Sequence, residues 1–417
     1  MTHPAQDLSA RIEVVWRLEE GRIIAGLTRL VRDVGLAEEL AQDALVAALH
    51  EWPGTGVPPN PGGWLMLTAK HRAIDRLRRD DLLSLKLREL GHEALSHEMD
   101  AGLDDFDAVL DDGVKDDLLR LMFTACHPAL SREMQVALTL RVLGGLSTGE
   151  IAGAFLVPEA TIAQRIVRAK RTLADKRIPF EIPAGTEQAQ RLGAVLGVVY
   201  LIFNEGYAAT AGESWTRPQL CHEALRMARM LAVWAPDEAE VHGLAALLEI
   251  QSSRLAARLG PRGEPIPLLE QNRGRWDQLL IRRGFTALLR ARQAGPAGPY
   301  VLQAAITACH AQARRADDTD WGRIAALYDQ LARLLPTPIV QLNRAVAVAM
   351  ARGPAEGLAI VEAIQGLQDY HRLPSVRADL LAQLGRTQEA RTELERAATL
   401  TVNARERDVL LARARAL

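Results

Sequence analysis

The chain has 417 residues, with 48 % hydrophobic and 24 % charged residues and a formal net charge of −2. This balance is that of an ordinary globular protein and excludes a fibrous or disordered chain. The length predicts two to four domains. Because the three cysteines lie far apart, the start has no signal-peptide pattern and no apolar run is long enough to cross a bilayer, we expect a soluble cytoplasmic protein.

Two helical stretches open the chain. Apolar residues recur at helical spacing from Ile12 to Leu49 and again from Trp64 to about Arg79. The intervening segment, Trp52 to Gly63, is rich in proline and glycine and predicts a loop. The second helix carries five basic residues against Asp75; they are Lys70, Arg72, Arg76, Arg78 and Arg79. Taken alone, such a helix favours a solvated surface over a nucleic-acid contact.

An acidic segment follows. Between residues 97 and 117 nine acidic side chains stand against the single Lys115. This run predicts a solvated linker, and a functional acidic arm is the alternative. A helical block from Leu118 to Leu173 comes next, and the two prolines of Arg177 to Pro183 mark a boundary.

Everything after that boundary also has helical periodicity, with a break at Gly260 to Pro267. Two later stretches, Pro338 to Ile364 and Pro374 to Leu400, start 36 residues apart, and each shows a helix, a glycine-containing turn and a second helix. This spacing is near the tetratricopeptide period of about 34 residues, and a plain helical bundle is the alternative. The sequence has no strand pattern, so the predicted fold class is all-α.

The segment from residue 146 to 173 predicts a helix-turn-helix. Ser147 and Glu150 form a capping box, and Pro158 suits the start of a second helix. That helix has one apolar stripe, made of Ile162, Ile166, Ala169 and Leu173. Its other side presents Thr161, Gln164, Arg165, Arg168 and Arg171. A helix of this kind can enter the major groove of DNA, whereas the alternative is a hairpin with a solvated basic face.

For the other candidate functional residues, the sequence favours structural roles. Each cysteine precedes a histidine, at Cys126, Cys221 and Cys309, but such wide spacing is atypical of a zinc site, so we expect buried thiols and no metal. The polar Asn-Glu-Gly within Phe203 to Tyr207 predicts a structural turn, with a ligand or partner site as the alternative. The later tryptophans should pack in the core; they are Trp215, Trp234, Trp276 and Trp321. No nucleophile, metal or phosphate motif is present, so neither an enzyme nor a cofactor is predicted.

The motifs together resemble a known family. The stretches Gly35 to Leu45, Pro61 to Leu65 and Ala69 to Arg79 resemble the second sigma domain of extracytoplasmic-function sigma factors, and residues 118 to 177 resemble their fourth domain. Tyr200 to Tyr207 resembles the segment that follows the sigma domains in a long subgroup with a helical, tetratricopeptide-like C-terminal extension. The resemblance spans nearly the whole chain.

This resemblance implies that the chain binds core RNA polymerase and directs promoter-specific initiation. Glu39, Gln42 and Asp43 would dock on the clamp helices of the largest polymerase subunit. The Trp52 to Gly63 loop would receive a flipped promoter base beside the Lys70 to Arg79 helix. The upstream promoter element would be read by Thr161, Gln164, Arg165, Arg168, Lys170 and Arg171. Leu156 stands where the family usually has glycine and Ala163 where a basic residue is common, so promoter preference is not transferable.

The expected domains are sigma domain 2 at 1–82, the acidic linker at 83–114, sigma domain 4 at 115–180, a helical domain at 181–290 and tetratricopeptide-like repeats at 291–417. The expected partners are core polymerase, promoter DNA and a protein or peptide on the repeats, with no membrane. We expect the C-terminal half to regulate the factor. The alternatives are a helix-turn-helix regulator with a helical sensor domain and a helical scaffold without a DNA role.

Overall fold

The computed structural model describes residues 4–90, 113–155, 157–208, 216–261 and 263–417. All regular elements in these ranges are helical, and an isolated β bridge joins Leu259 and Pro265. The all-α prediction is therefore confirmed. Most of the expected acidic linker, as well as Leu156, lies outside the described residues.

The chain forms two compact units. Unit 1 comprises Met1–Gly153 and Val157–Val198, and unit 2 comprises Ala154–Leu156 and Val199–Leu417, so the main boundary falls within helix α8. The helices up to this boundary are α1 (Pro4–Val31), α2 (Val34–Thr55), α3 (Pro61–Leu90), α4 (Gly113–Ala125), α5 (Arg132–Val142), α6 (Thr148–Phe155), α7 (Glu159–Asp175) and α8 (Gly185–Tyr207).

The first helical stretch of the sequence divides into α1 and α2. Arg32 adopts a positive φ of 54°, which turns the backbone, and the Asp33 side chain then accepts a hydrogen bond from the Leu36 amide at 2.8 Å. An aspartate in this position satisfies one of the free amides at a helix start. Local backbone chemistry thus ends one helix and begins the next within two residues.

The loop predicted from Trp52 to Gly63 is longer than the observed loop between α2 and α3, and it differs at both ends. Helix α2 continues through Pro53 to Thr55, and α3 begins at Pro61, so only residues 56–60 are non-helical. Trp52 is buried and its ring lies 5.4 Å from that of Trp64, which holds the last turn of α2 against α3. Asn60 accepts a hydrogen bond from the Gly63 amide at 2.9 Å and starts α3 early.

Unit 2 continues with paired helices. They are α9 (Pro218–Trp234), α10 (Ala239–Ser252), α11 (Gln278–Ala294), α12 (Pro299–Gln312), α13 (Trp321–Leu334), α14 (Pro338–Arg352), α15 (Pro354–Glu362), α16 (Arg372–Gln383), α17 (Thr387–Leu400) and α18 (Ala404–Ala416). Helix α10 is buried along most of its length. The two similar stretches of the sequence form the pairs α14–α15 and α16–α17, whose turns use Gly353 and Gly385 at φ of 114° and 77°.

The turn predicted at Phe203 to Tyr207 is wrong, because α8 runs through this segment. Its polar groups find partners without breaking the helix: Asn204 hydrogen-bonds to Tyr200, and Glu205 pairs with Arg217. Gly206 allows α9 to approach closely, since a Cβ there would lie 2.7 Å from the backbone nitrogen of Cys221. The glycine marks a helix crossing instead of a turn.

Candidate DNA and polymerase surfaces

Helices α6 and α7 form the helix-turn-helix. The Glu150 amide donates to Ser147 Oγ at 3.1 Å and the Ser147 amide donates to Glu150 Oε2 at 2.8 Å, which confirms the capping box. Helix α7 begins at Glu159, with Pro158 at the position before it. The predicted apolar stripe of α7 is confirmed, since Ile162, Ile166, Ala169 and Leu173 are each at most 5 % exposed.

The opposite face of α7 is open to solvent. Gln164, Arg168 and Arg171 are exposed, while Thr161 and Arg165 are partly buried. Val167, which is 61 % exposed, lies among these side chains. This valine was not predicted, although an apolar residue outside the buried stripe of a basic helix is a readable signal.

Lys170 does not belong to this open face. Its ammonium group pairs with Glu38 of α2, and Arg141 Nε of α5 donates to the same carboxylate at 2.7 Å. The Arg141 guanidinium also lies 3.5 Å from Glu20 of α1. These four residues, Glu20, Glu38, Arg141 and Lys170, form a charged cluster that joins α1 and α2 to α5 and α7 within unit 1.

The two carboxylates of the charged cluster have opposite pKa shifts. Burial raises the pKa of Glu20 to about 7; Arg141 offsets this in part, and the neighbouring Glu38 adds to the rise. Burial also raises the pKa of Glu38, but Lys170 and Arg141 together outweigh it and hold that pKa below its usual value. Glu38 is therefore the ionised partner of both cations, and Glu20 holds a proton up to near-neutral pH.

The exposed face of α2 contains the three residues predicted to contact polymerase. Glu39, Gln42 and Asp43 are all exposed, three and four residues apart on one side of the helix. The same side continues with Val46 and Leu49, which are 49 % and 46 % exposed. These two apolar residues were not predicted. Exposed apolar side chains that extend a polar face are a feature of protein-binding surfaces.

Helix α3 presents the second basic surface. Arg76, Arg78 and Arg79 are exposed, whereas Lys70 and Arg72 are partly buried. Arg72 lies 3.7 Å from Asp43 of α2, so a predicted DNA contact and a predicted polymerase contact are neighbours. The basic face of α3 and the mixed face of α2 thus meet at this ion pair.

The three cysteines are buried thiols. Burial raises the pKa of Cys126 to about 11 and that of Cys221 to about 12, and it also raises the pKa of Cys309. Across the described ranges, no three or more His, Cys, Asp and Glu side chains are grouped so as to hold a metal ion. No helix in the described part of the chain has the length and apolar run needed to cross a membrane.

Comparison with known proteins agrees with this arrangement. The family model of sigma-70 region 2 matches residues 16–82, and that of sigma-70 region 4 matches residues 120–173. The ECF RNA polymerase sigma factor SigK of Mycolicibacterium vanbaalenii is 30 % identical over 149 residues, which cover 35 % of this chain and 70 % of the relative. The chain belongs to the extracytoplasmic-function RNA polymerase sigma factors. Region 2 of this sigma factor contains α2 and most of α1 and α3, and region 4 contains α5, α6 and most of α7.

The remainder of the sigma factor has relatives of unknown function. A family of unknown function (DUF6596) matches residues 191–292. An uncharacterized protein of Rhizobium meliloti is 42 % identical over 389 residues, which cover 92 % of this chain and 90 % of the relative. No solved structure matches. Because this alignment covers 92 % of the chain, it includes most of the C-terminal extension.

Proposed function

We propose that this sigma factor docks on core polymerase through α2, contacts promoter DNA through α3 and α7, and contributes no catalytic group. The open face of α7 carries the proposal. Gln164 and Arg168 are exposed residues of the types that pair with adenine and guanine edges in the major groove, and Val167 between them suits a thymine methyl group. The stripe on the opposite side stays buried in unit 1.

Alanine variants of Gln164 and Arg168 test the role of α7. Each should weaken binding of the reconstituted holoenzyme to its promoter by about 1–3 kcal/mol if it contacts a base edge. Promoter selection followed by run-off transcription measures the effect, with the exposed Arg333→Ala of unit 2 as the matched control. Wild-type transcription from Q164A and R168A proteins would support the scaffold hypothesis instead.

The role of Lys170 needs its own test because Glu38 occupies its ammonium group. Lys170→Met keeps the length of the side chain and removes the charge. If Lys170 leaves Glu38 to bind a phosphate, the slope of log affinity against log salt should fall by about one. If it serves only as the partner of Glu38, the slope stays constant and only the free energy of unfolding falls.

We further propose that the exposed arginines of α3 hold the downstream promoter element, with residues 56–60 beside them for a flipped base. The support is that Arg76, Arg78 and Arg79 all lie on exposed positions of the helix that follows the short loop. Joint replacement by alanine should prevent promoter melting, measured by permanganate reactivity, while binding to core polymerase persists. Loss of core binding in the same variant would contradict the assignment.

The proposed polymerase surface combines the polar residues Glu39, Gln42 and Asp43 with the apolar Val46 and Leu49. Burial of the apolar pair should supply affinity, and the polar residues should set orientation. Val46→Asp and Leu49→Asp should each reduce the affinity for core polymerase about tenfold or more in a pull-down without DNA.

The exposed Val233 of unit 2 gives the matched control, Val233→Asp. Unchanged retention of core polymerase by both aspartate variants would overturn the α2 assignment. A protein that binds promoter DNA but never core polymerase would support the helix-turn-helix regulator.

We also propose that the C-terminal extension regulates the sigma domains, with a protein or peptide as its partner. A truncation should end at Val198, because the first part of α8 belongs to unit 1: Arg191 donates to the Phe123 carbonyl at 3.0 Å, and Arg132 donates to the Ala194 carbonyl at 3.2 Å. If the extension inhibits, residues 1–198 should initiate transcription more actively than the full chain. Lost transcription would overturn inhibition and support an assisting role.

A further inference from the structure

A polar cavity of about 150 Å³ lies in unit 2, where α8, α10, α12, α13 and α14 converge. The cavity is lined by three tyrosines, two asparagines, two glutamines, a threonine and three apolar residues. No charged side chain of the described ranges lines it. The contact between packed helices is ordinarily filled by apolar side chains. Polar groups around a concave space can instead fix the orientation of a small ligand.

Hydrogen bonds fix four of the polar residues that line the cavity, Tyr200, Tyr207, Gln251 and Gln303. Tyr200 Oη donates to Gln303 Oε1 at 2.9 Å, and Gln303 Nε2 donates in turn to a backbone carbonyl. Behind the wall, Arg254 donates to Gln251 Oε1 at 2.7 Å and to the hydroxyl oxygen of Tyr207. Since these oxygens accept from Arg254, the amide N–H groups of Gln251 and the O–H of Tyr207 remain as donors for the cavity.

The positive charge behind the wall has no carboxylate partner among the described residues. Arg254 and Arg258 are 6 % and 9 % exposed and lie 5.6 Å and 3.6 Å from the centre of the Tyr207 ring. Glu205, two residues before Tyr207, and Glu249, five residues before Arg254, each pair with another arginine. Buried cations without an anion are costly for the fold, so they favour a negative ligand nearby.

The surroundings of Arg254 show the effect of this charge. The pKa of the nearby His310 is lowered to about 4 by burial and by the charges of Arg254 and Arg273. Burial and the Arg254 charge likewise lower the pKa of Arg273. The electrostatic potential behind the cavity is thus positive. Uncharged hydrogen-bond donors lie between these cations and the cavity.

The side chains of two lining residues have no hydrogen-bond partner in the described part of the chain. Tyr328 and Asn343 line the cavity, and neither side chain makes a hydrogen bond in the described ranges. Asn343 is exposed, which places it where the cavity meets solvent. A partly buried tyrosine hydroxyl that stabilises no protein contact is available for a ligand.

We propose that this cavity binds a small organic carboxylate. Tyr207, Gln251 and Tyr328 line it and carry hydrogen-bond donors, and the buried charges of Arg254 and Arg258 behind them favour a negative ligand. A phosphate dianion would call for direct contact with an arginine, a lysine or a helix N-terminus, which the lining does not offer. The volume matches a molecule of a few heavy atoms, such as a hydroxy acid. The site stands independently of whether the extension inhibits or assists transcription.

Thermal unfolding and calorimetry of the full chain test the proposal with acetate, lactate and malate. Lactamide serves as the uncharged match of lactate, and inorganic phosphate as the competing anion. At least one carboxylate should raise the unfolding temperature of the full chain in a saturable way, and lactamide and phosphate should not. Tyr328→Phe should leave the unfolding temperature without ligand unchanged or higher and weaken carboxylate binding about tenfold, as expected for one lost hydrogen bond to a charged group.

Tyr370→Phe, a tyrosine of the α14 to α18 core outside the cavity, is the matched control, and Asn343→Ala is a second variant at an exposed position that is expected to fold. Several outcomes overturn the proposal: no binding of any of the three carboxylates, equal binding of lactamide, binding of phosphate alone, or carboxylate binding that both Y328F and N343A leave unchanged. A Y328F protein that is destabilised without ligand and binds as wild type would assign the hydroxyl a structural role.

Discussion

Replacing Glu20 with glutamine should stabilise the sigma domains above neutral pH. Glu20 is 1 % exposed, and its pKa is raised to about 7 from 4.5, mainly by burial. This rise in the pKa of Glu20 corresponds to about 3 kcal/mol, because a tenfold change in a proton affinity is worth about 1.4 kcal/mol. Glutamine keeps the shape of the protonated side chain and removes the charge, so it removes this penalty.

The sign of the pH dependence follows from the proton count. The folded chain holds a proton on Glu20 up to about pH 7, whereas the unfolded chain loses it near pH 4.5. The free energy of unfolding therefore falls as the pH rises through this window, and the whole penalty is present above pH 7. Glu20→Gln should gain up to about 3 kcal/mol at pH 8 and nothing at pH 4.

Urea unfolding followed by tryptophan fluorescence measures this effect, since Trp16 lies close enough to Glu20 to influence its pKa. Glu13→Gln is the matched control, because Glu13 lies on the same helix with a side chain that is 64 % exposed. A Glu20→Gln protein that is less stable than wild type at pH 8 would refute the burial penalty on this carboxylate. Equal losses of stability in the variant and the wild type between pH 4.5 and pH 7 would refute it as well.

Three further substitutions probe other contacts, each measured by urea unfolding against the exposed Arg333→Met as control. Arg141→Met removes the cation shared by two buried carboxylates and should lower the free energy of unfolding by about 3–5 kcal/mol at pH 7. Arg191→Met removes a buried donor to a backbone carbonyl and should cost about 2 kcal/mol. Gly206→Ala forces α8 and α9 apart and should cost about 1–3 kcal/mol. Wild-type stability of any of these proteins would contradict the contact that it tests.

Local signals allowed the sequence to predict the helix-turn-helix. The two residues of the capping box, Ser147 and Glu150, are three positions apart, and the apolar stripe of α7 repeats at helical spacing, so both depend on neighbouring residues alone. Pro53 misled the loop prediction because the sequence cannot show that Trp52 packs on Trp64 and holds the final turn of α2 together.

Long-range contacts were beyond sequence reasoning. Lys170 has the spacing of a partly outward-facing basic residue, and nothing near it in the chain indicates that Glu38 is its partner. The cavity in unit 2 shows the same limit. The sequence indicated only its first segment, Phe203 to Tyr207, whereas Gln303 and Tyr328 come from helices more than ninety residues further along the chain.

The burial of all three native thiols has a practical consequence for following the sigma domains in solution. Cys126, Cys221 and Cys309 are at most 4 % exposed, and thiols of raised pKa are poor nucleophiles near neutral pH. A cysteine introduced at an exposed position would therefore take up a maleimide dye selectively, with the native thiols left in place. Dyes on the open faces of α2 and α7 would report by energy transfer any change in the distance between these two helices.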